Sequence, residues 1–243
     1  MRRWSSVTVQ SLPNSLNRRD ALAARRRLLP HRRSADKITP RAFGASGRLP
    51  SWSPIHVAIL ASPCCEMAEV ILQLEVFAAA NRQVGQVIYA VEIVSFAPGV
   101  LVGSSGLPIV PGRYIDDRLL SVDLLLVTGG PKDRRHTLSN AEAAWITINA
   151  ERAGRYGAIG SGIELLMQAG LLGEIGMCPS GCVSHDHAKL LLQFDALLVF
   201  EGVMRLFPGA AAGIDLGLAL VEQDCGPDVA RAIARDLVVY LKC

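Results

Sequence analysis

The chain has 243 residues; half are hydrophobic and 19% are charged, which is enough for one large domain with a sizeable core and excludes a collagen-like or wholly disordered chain. The net charge of +3 hides an asymmetry, because residues 1–50 hold 12 of the 25 Lys/Arg but only 2 of the 22 Asp/Glu. Residues 51–243 therefore carry 13 basic against 20 acidic side chains, a balance that argues against nucleic-acid binding through the general surface. No run of 18 uncharged apolar residues occurs, and the longest candidate, Ala210 to Val221, is short and interrupted by Asp215, so no membrane span is expected. Six cysteines are too few for a disulfide scaffold and read as reduced thiols in a cytoplasmic setting.

Residues 1–53 read as a basic extension without a packed structure. Arginines 2, 3, 18, 19, 25–27, 32 and 33 stand among Ser, Pro and Gly, and large apolar residues are too few to offset the entropy of ordering. Only Arg18 to Leu29 has helical character, ended by Pro30. The segment lacks the apolar stretch of a secretory signal, while its Arg- and Ser-rich, acid-poor make-up fits a transit peptide, an electrostatic arm, or an extension with no specific role.

Residues 54–243 alternate strand and helix signals. Ile55 to Ala61 is a short apolar run, read as a buried strand, and Glu66 to Asn81 spaces apolar residues at helical intervals. Val91 to Phe96 and Leu107 to Val110 read as strands closed by Pro-Gly pairs. Asp123 to Thr128 is a continuous aliphatic run ending in Gly129-Gly130, as suits a parallel strand covered on both faces. Ser139 to Glu142 is a capping box opening a helix to about Arg152. Tyr156 to Ile159 is a strand ending in Gly160-Ser161-Gly162, followed by a helix to Ala169 and a stop at Gly170. Short β candidates lie at Cys182 to Ser184 and at Leu197 to Leu206, the latter folded into a hairpin at Glu201-Gly202. Helices from Ala211 to Asp224 and from Pro227 to Lys242 finish the chain. The alternation predicts an α/β fold, a three-layer sandwich with a mostly parallel sheet and helices on both faces. Ligands of such sheets bind at the carboxyl ends of the strands, which singles out the loop after Ala61, Gly129-Gly130, and the turn at 160–162.

The turn Ile159-Gly160-Ser161-Gly162 has the strand–turn–helix form of a nucleophile elbow, although Ile159 and Ile163 stand where a G-x-S-x-G hydrolase has glycines. Ser161 also begins Ser161-Gly-Ile-Glu164, so capping of the following helix is its expected role, with nucleophile or ligand contact as alternatives. Gly129-Gly130 either lets backbone approach a ligand or makes a tight turn without function. Cys178, Cys182, His185 and His187 form C-x3-C-x2-H-x-H, residue types that ligate zinc at a spacing matching no common finger. Glu69, one turn into the first helix near the end of the first strand, is a candidate pocket carboxylate or an exposed helix residue.

Together these residues resemble the ThiJ/PfpI superfamily, with its flavodoxin-like, class I glutamine-amidotransferase-like fold, and within it the sensor domain of GlxA-like regulators of the AraC group. The resemblance spans about 54–242 and rests on Leu74 to Asn81 (LEVFAAAN), Ser104 to Pro108 (SSGLP), Asp123 to Gly130 (DLLLVTGG), Ala169 to Gly173 (AGLLG), and Ala212 to Glu222 with Ala230 to Leu241. It places Gly160 where the family carries a reactive Cys, Glu69 where that Cys has its acidic partner, and His185 at the His of a T-T-H motif, here Val183-Ser184-His185. It therefore implies a non-catalytic, small-molecule-binding sensor domain, with ligand contacts from Glu69, Gly129, Gly130, Gly160, Ser161, Gly162 and His185 and no cofactor. Glu69 suggests a polar or cationic ligand such as an amino acid or quaternary amine. The apolar final helices suggest a homodimer. Regulators of this kind continue into a helix-turn-helix domain, so DNA contact is expected only through a domain absent from this chain. The alternative is a stand-alone enzyme of the same fold, an amidase, glyoxalase or hydratase, using Ser161 or a Glu69–His185 acid–base pair.

Overall fold

Continuous aliphatic runs become the central strands because both faces of each are covered. The computed structural model describes residues 7–9, 53–116, 122–131, 134–172, 195–200, 203–207 and 212–240. Strand β2 (Ile55–Ala61) is central, with β3 (Tyr89–Ser95) parallel on one side and β7 (Leu124–Thr128) parallel on the other. Every residue of β7 is buried. Strand β8 (Arg155–Ile159) adds parallel to β7, and β6 (Arg113–Tyr114) parallel to β3. The hairpin β9 (Ala196–Phe200) and β10 (Val203–Phe207) then adds antiparallel to β8, while the predicted turn at Glu201-Gly202 lies outside the described residues. Edge strand β1 (Val7–Val9) pairs antiparallel with β10, giving the order β1-β10-β9-β8-β7-β2-β3-β6. β1 is Val-Thr-Val, whose β-branched side chains suit an edge position even within a basic segment. A separate ribbon joins β4 (Leu101–Val102) to β5 (Pro108–Ile109).

The helices complete three layers. Helix α1 (Met67–Val84) follows β2 and ends at Gly85, whose φ of 76° gives the left-handed stop. Asn81 fastens that end, since its Nδ2 donates to Tyr89 O and its Oδ1 accepts from Ile88 N and Tyr89 N, all within 2.8–2.9 Å. The conspicuous Asn of the LEVFAAAN stretch thus closes the α1–β3 connection. Helix α2 (Asn140–Ala153) opens with the expected capping box, in which Ser139 Oγ accepts from Glu142 N and Glu142 Oε2 accepts from Ser139 N. Helix α3 (Gly162–Gln168) follows β8.

Helices α4 (Ala212–Cys225) and α5 (Pro227–Tyr240) pack with α1. Their apolar stripes, including Leu216, Leu220, Val221, Ala230 and Ile233, are buried in one core with α1 and β2. The second core, on the other face, is built from Leu60, Leu125, Val127, Ile146, Ile163 and Leu166.

At the amino ends of the strands, a polar cluster ties the layers together. Asp224 Oδ1 accepts from Arg155 Nη1 at 2.7 Å and its Oδ2 accepts from Tyr89 Oη at 2.9 Å. The Arg155 and Asp224 side chains are 11% and 7% exposed, so this ion pair is largely desolvated. Among the described residues no helix is long and apolar enough to cross a membrane.

Candidate functional site

The parallel register of β2, β7 and β8 brings three loops to one end of the sheet: residues 62–66, 129–131 and 160–162. The first is a turn in which Cys65 N donates to Ser62 O at 3.0 Å, with Pro63 second and Cys64 third. Cys64 has φ 58°, and it is the only non-glycine residue with positive φ among those described. The third position of such a turn demands that region, which normally selects Gly or Asn. Glu66 N donates to Gly129 O and Ser62 N to Thr128 O, stitching the first loop to the second.

At the third loop, Gly160 adopts φ 55°, and its N–H donates to Asp195 O at 2.6 Å. A Cβ placed on Gly160 would overlap Glu69 Oε1 and lie 3.1 Å from Glu69 Cδ. The carboxyl of Glu69 thus occupies the space into which a residue with a side chain would project. The region of positive φ independently favours glycine there. Burial pushes the Glu69 carboxyl up to about 8, with Glu66 and Asp195 adding to the rise. At neutral pH Glu69 is then mostly protonated, and its buried Oε2 has no hydrogen-bond partner among the described residues. A carboxyl held neutral in this way does not attract a cation by charge.

Ser161 departs from its expected role. It stands at the N-cap of α3 with helical dihedrals (φ −71°, ψ −1°), and its side chain makes no capping bond. Its hydroxyl instead donates to Gly130 O at 2.5 Å, joining the second and third loops. The capping partner predicted for it, Glu164, pairs with Arg135 at 3.0 Å.

The glycines serve the same seam. A Cβ on Gly129 would overlap Ser161 Oγ, and one on Gly162 would overlap Val127 O. Both are required for backbone to meet backbone. The close approach that Gly129-Gly130 permits is therefore to the chain itself.

The nearest thiol is also unsuited to catalysis. Cys65 is fully buried, and burial, with Glu69 beside it, pushes its thiol up to about 11. A nucleophilic cysteine needs the opposite shift. Cys64, Cys65 and Cys225 are free.

Sequence reasoning missed the other wall of the site. A narrow cleft over the strand ends is lined by Ser62, Gly129, Gly130, Arg135, His136, Ser161, Glu164 and Leu165. Ser62 is fully buried and its Oγ has no hydrogen-bond partner among the described residues. His136 stacks on Phe96 with ring centroids 4.7 Å apart, and its Nε2 lies 3.1 Å from Glu142 Oε1. The only early signal was the Arg134-Arg135-His136 run shortly after a strand-ending glycine pair.

The structure therefore brings Glu69, Gly129, Gly130, Gly160, Ser161 and Gly162 to one place. His185, together with Cys178, Cys182 and His187 of the zinc reading and the strand candidate at 182–184, lies outside the described residues. No group of three or more His, Cys, Asp or Glu suited to a metal occurs among the described residues.

No protein-family model matches the chain, and no curated protein does. Solved structures do match. An AraC family transcriptional regulator from Pseudomonas putida is 18% identical with a TM-score of 0.55, the match covering 76% of this chain and 99% of that one. A putative transcriptional regulator from Vibrio parahaemolyticus is 19% identical with a TM-score of 0.57, covering 76% and 100%. A ThiJ/PfpI family protein from Pseudomonas syringae is 16% identical with a TM-score of 0.56, covering 82% of each chain. DJ-1 from Toxoplasma gondii has a TM-score of 0.54 at 16% identity, covering 76% and 98%. The parallel sheet, the three adjoining loops and these likenesses lead to one conclusion: the chain has the flavodoxin-like fold shared by ThiJ/PfpI and DJ-1 proteins and by the matched AraC-family regulator.

Proposed function

We propose that the protein is a small-molecule-binding sensor domain of the GlxA-like regulator type that carries out no covalent chemistry. The observation that carries this reading is at the elbow, where Gly160 offers no side chain and the Glu69 carboxyl fills the space one would need. The remaining groups agree: Ser161 is committed to Gly130 O, and the Cys65 thiol is buried and raised. The regulator structures among the fold's relatives support the same role. Free thiols at all three described cysteines fit a reducing cytoplasm, where we place the protein.

A metabolite panel followed by thermal unfolding tests the reading, because a ligand that binds only the folded state raises the midpoint in a saturable way. At least one small metabolite is expected to do so, with no turnover of amide, glyoxal or isonitrile substrates. Turnover that disappears in Glu69→Gln would replace the sensor with the enzyme reading. A panel without any saturable shift would remove the sensor reading outright.

A further inference from the structure

An antiparallel pair with one face on the core ordinarily turns a polar face to water. The ribbon of β4 and β5 does not. Leu101 and Ile109 are register partners that point inward, Leu101 buried and Ile109 packed against the core of α1 and β2. Alternation then sends the next pair, Val102 and Pro108, outward. Continuing the register one step the other way sets Val100 beside Val110 on that same outer face. All four are exposed, Val100 by 63%, Val102 by 50% and Val110 by 78%. No charged residue stands between Glu92 and Arg113, a stretch of 20 residues. The apolar surface continues onto α1. A Cβ on Gly103 would overlap the Met67 side chain, so the ribbon sits directly on that helix, and Ile71, one turn after Met67, is 42% exposed. The ribbon is seated on the molecule by its inner face, and nothing among the described residues covers its outer one. A contiguous exposed apolar face of this kind marks an interaction surface.

We propose that this outer face docks a second copy of the chain, ribbon against ribbon about a two-fold axis. The charge pattern selects that occupant. Nucleic acid or an anionic membrane is held by cations, and the face has none. The segment 10–52 carries ten Lys/Arg and two Asp/Glu, and on this face its charges would be desolvated without partners. An identical uncharged ribbon brings no charge to desolvate, and a two-fold contact lets one patch cover its own copy. The interface adjoins the elbow loops, because Ser104 N, at the turn of the ribbon, donates to Cys65 O at 3.0 Å. The inference goes beyond the sensor reading and does not depend on it.

The association state of the full chain would be followed by sedimentation velocity over a wide concentration range. Thermal midpoints would be compared at the dilute end, where monomer dominates. The wild type is expected to be a dimer that dissociates on dilution. Val102→Glu and Val110→Glu should each weaken it about ten-fold or more, because each carries an unpaired charge into the interface. Val110→Ser removes apolar area without adding charge and should weaken it by a smaller factor. Ile148→Glu changes an apolar residue of α2 that is 47% exposed and should leave the dimer unchanged. Midpoints of the ribbon variants should match that of the wild-type monomer, since these side chains stand in water there. A wild type that stays monomeric throughout, or a dimer unmoved by both Glu substitutions, would overturn the proposal. A monomer whose midpoint falls in Val110→Ser and Val110→Glu would also overturn it and assign the face to a segment of the same chain. Monomer that binds phosphatidylserine vesicles through the ribbon would overturn it in favour of a membrane. A ribbon dimer that responds to no metabolite would leave the interface standing and remove the sensor reading alone.

Discussion

Replacing Glu69 with Gln should remove a penalty that grows with pH. In the folded chain this carboxyl is raised to about 8, chiefly by burial, from an ordinary value of 4.5. The folded state therefore holds a proton that the unfolded state has lost between those limits, so stability falls as pH rises through that window. One unit of difference corresponds to about 1.4 kcal/mol, so the wild type should lose about 3 kcal/mol from this group alone between pH 5 and pH 7.5. The loss is complete above the folded value and absent below the unfolded one. Gln keeps the shape and a donor without titrating. Urea unfolding of both proteins at half-unit steps from pH 5 to 8.5 would read the difference, with Glu69→Gln the more stable at the alkaline end. Parallel curves for the two proteins would refute the reasoning, because they would mean that Glu69 titrates as a solvated acid and leaves room at the elbow.

Other perturbations bear on the same architecture. Gly160→Ala should destabilise by about 2–4 kcal/mol, from a left-handed alanine and a Cβ driven onto Glu69, and pairing it with Glu69→Ala should recover the steric part in a double-mutant cycle by urea unfolding. Cys64→Gly should stabilise by about 0.5–1 kcal/mol, since relief at φ 58° outweighs the added freedom of the unfolded chain; equal stability of Cys64→Ala and Cys64→Gly would contradict it. Asp224→Ala should cost about 3 kcal/mol by removing the partner of a buried Arg155, whereas Tyr89→Phe should cost about 1 kcal/mol, both measured by chemical denaturation.

Much of the fold was legible because its signals are local. The aliphatic run before Gly129-Gly130 could only be a covered strand, and Ser139 with Glu142 spelled out a cap that the structure contains. The two short β signals at 196–207 likewise pair antiparallel as neighbours in sequence. The misreadings are all long-range. Ser161 looks like a cap from its neighbours, but the topology carries Gly130 O within 2.5 Å and the hydroxyl goes there. Glu69 was legible from its place one turn into the first helix, while its raised pKa follows from burial that no local pattern reveals. Arg135 and Ser62 lie 73 positions apart in sequence and line one cleft because β2 and β7 are neighbours. The two-residue strand β6 escaped notice because so short a segment has no periodicity, and it is held in part by Arg113 on Glu92 of β3.

The seam of Gly129 and Gly162 also limits how this protein can evolve. Any side chain at either position meets backbone or the Ser161 hydroxyl, so mutation cannot reshape that wall of the cleft without parting β7 from α3. Under the proposed sensor role, variation is thereby channelled to the opposite wall, where Arg135 and His136 stand on a connection between elements. Homologues that respond to different small molecules should accordingly keep small residues at 129 and 162 and diverge at 135 and 136.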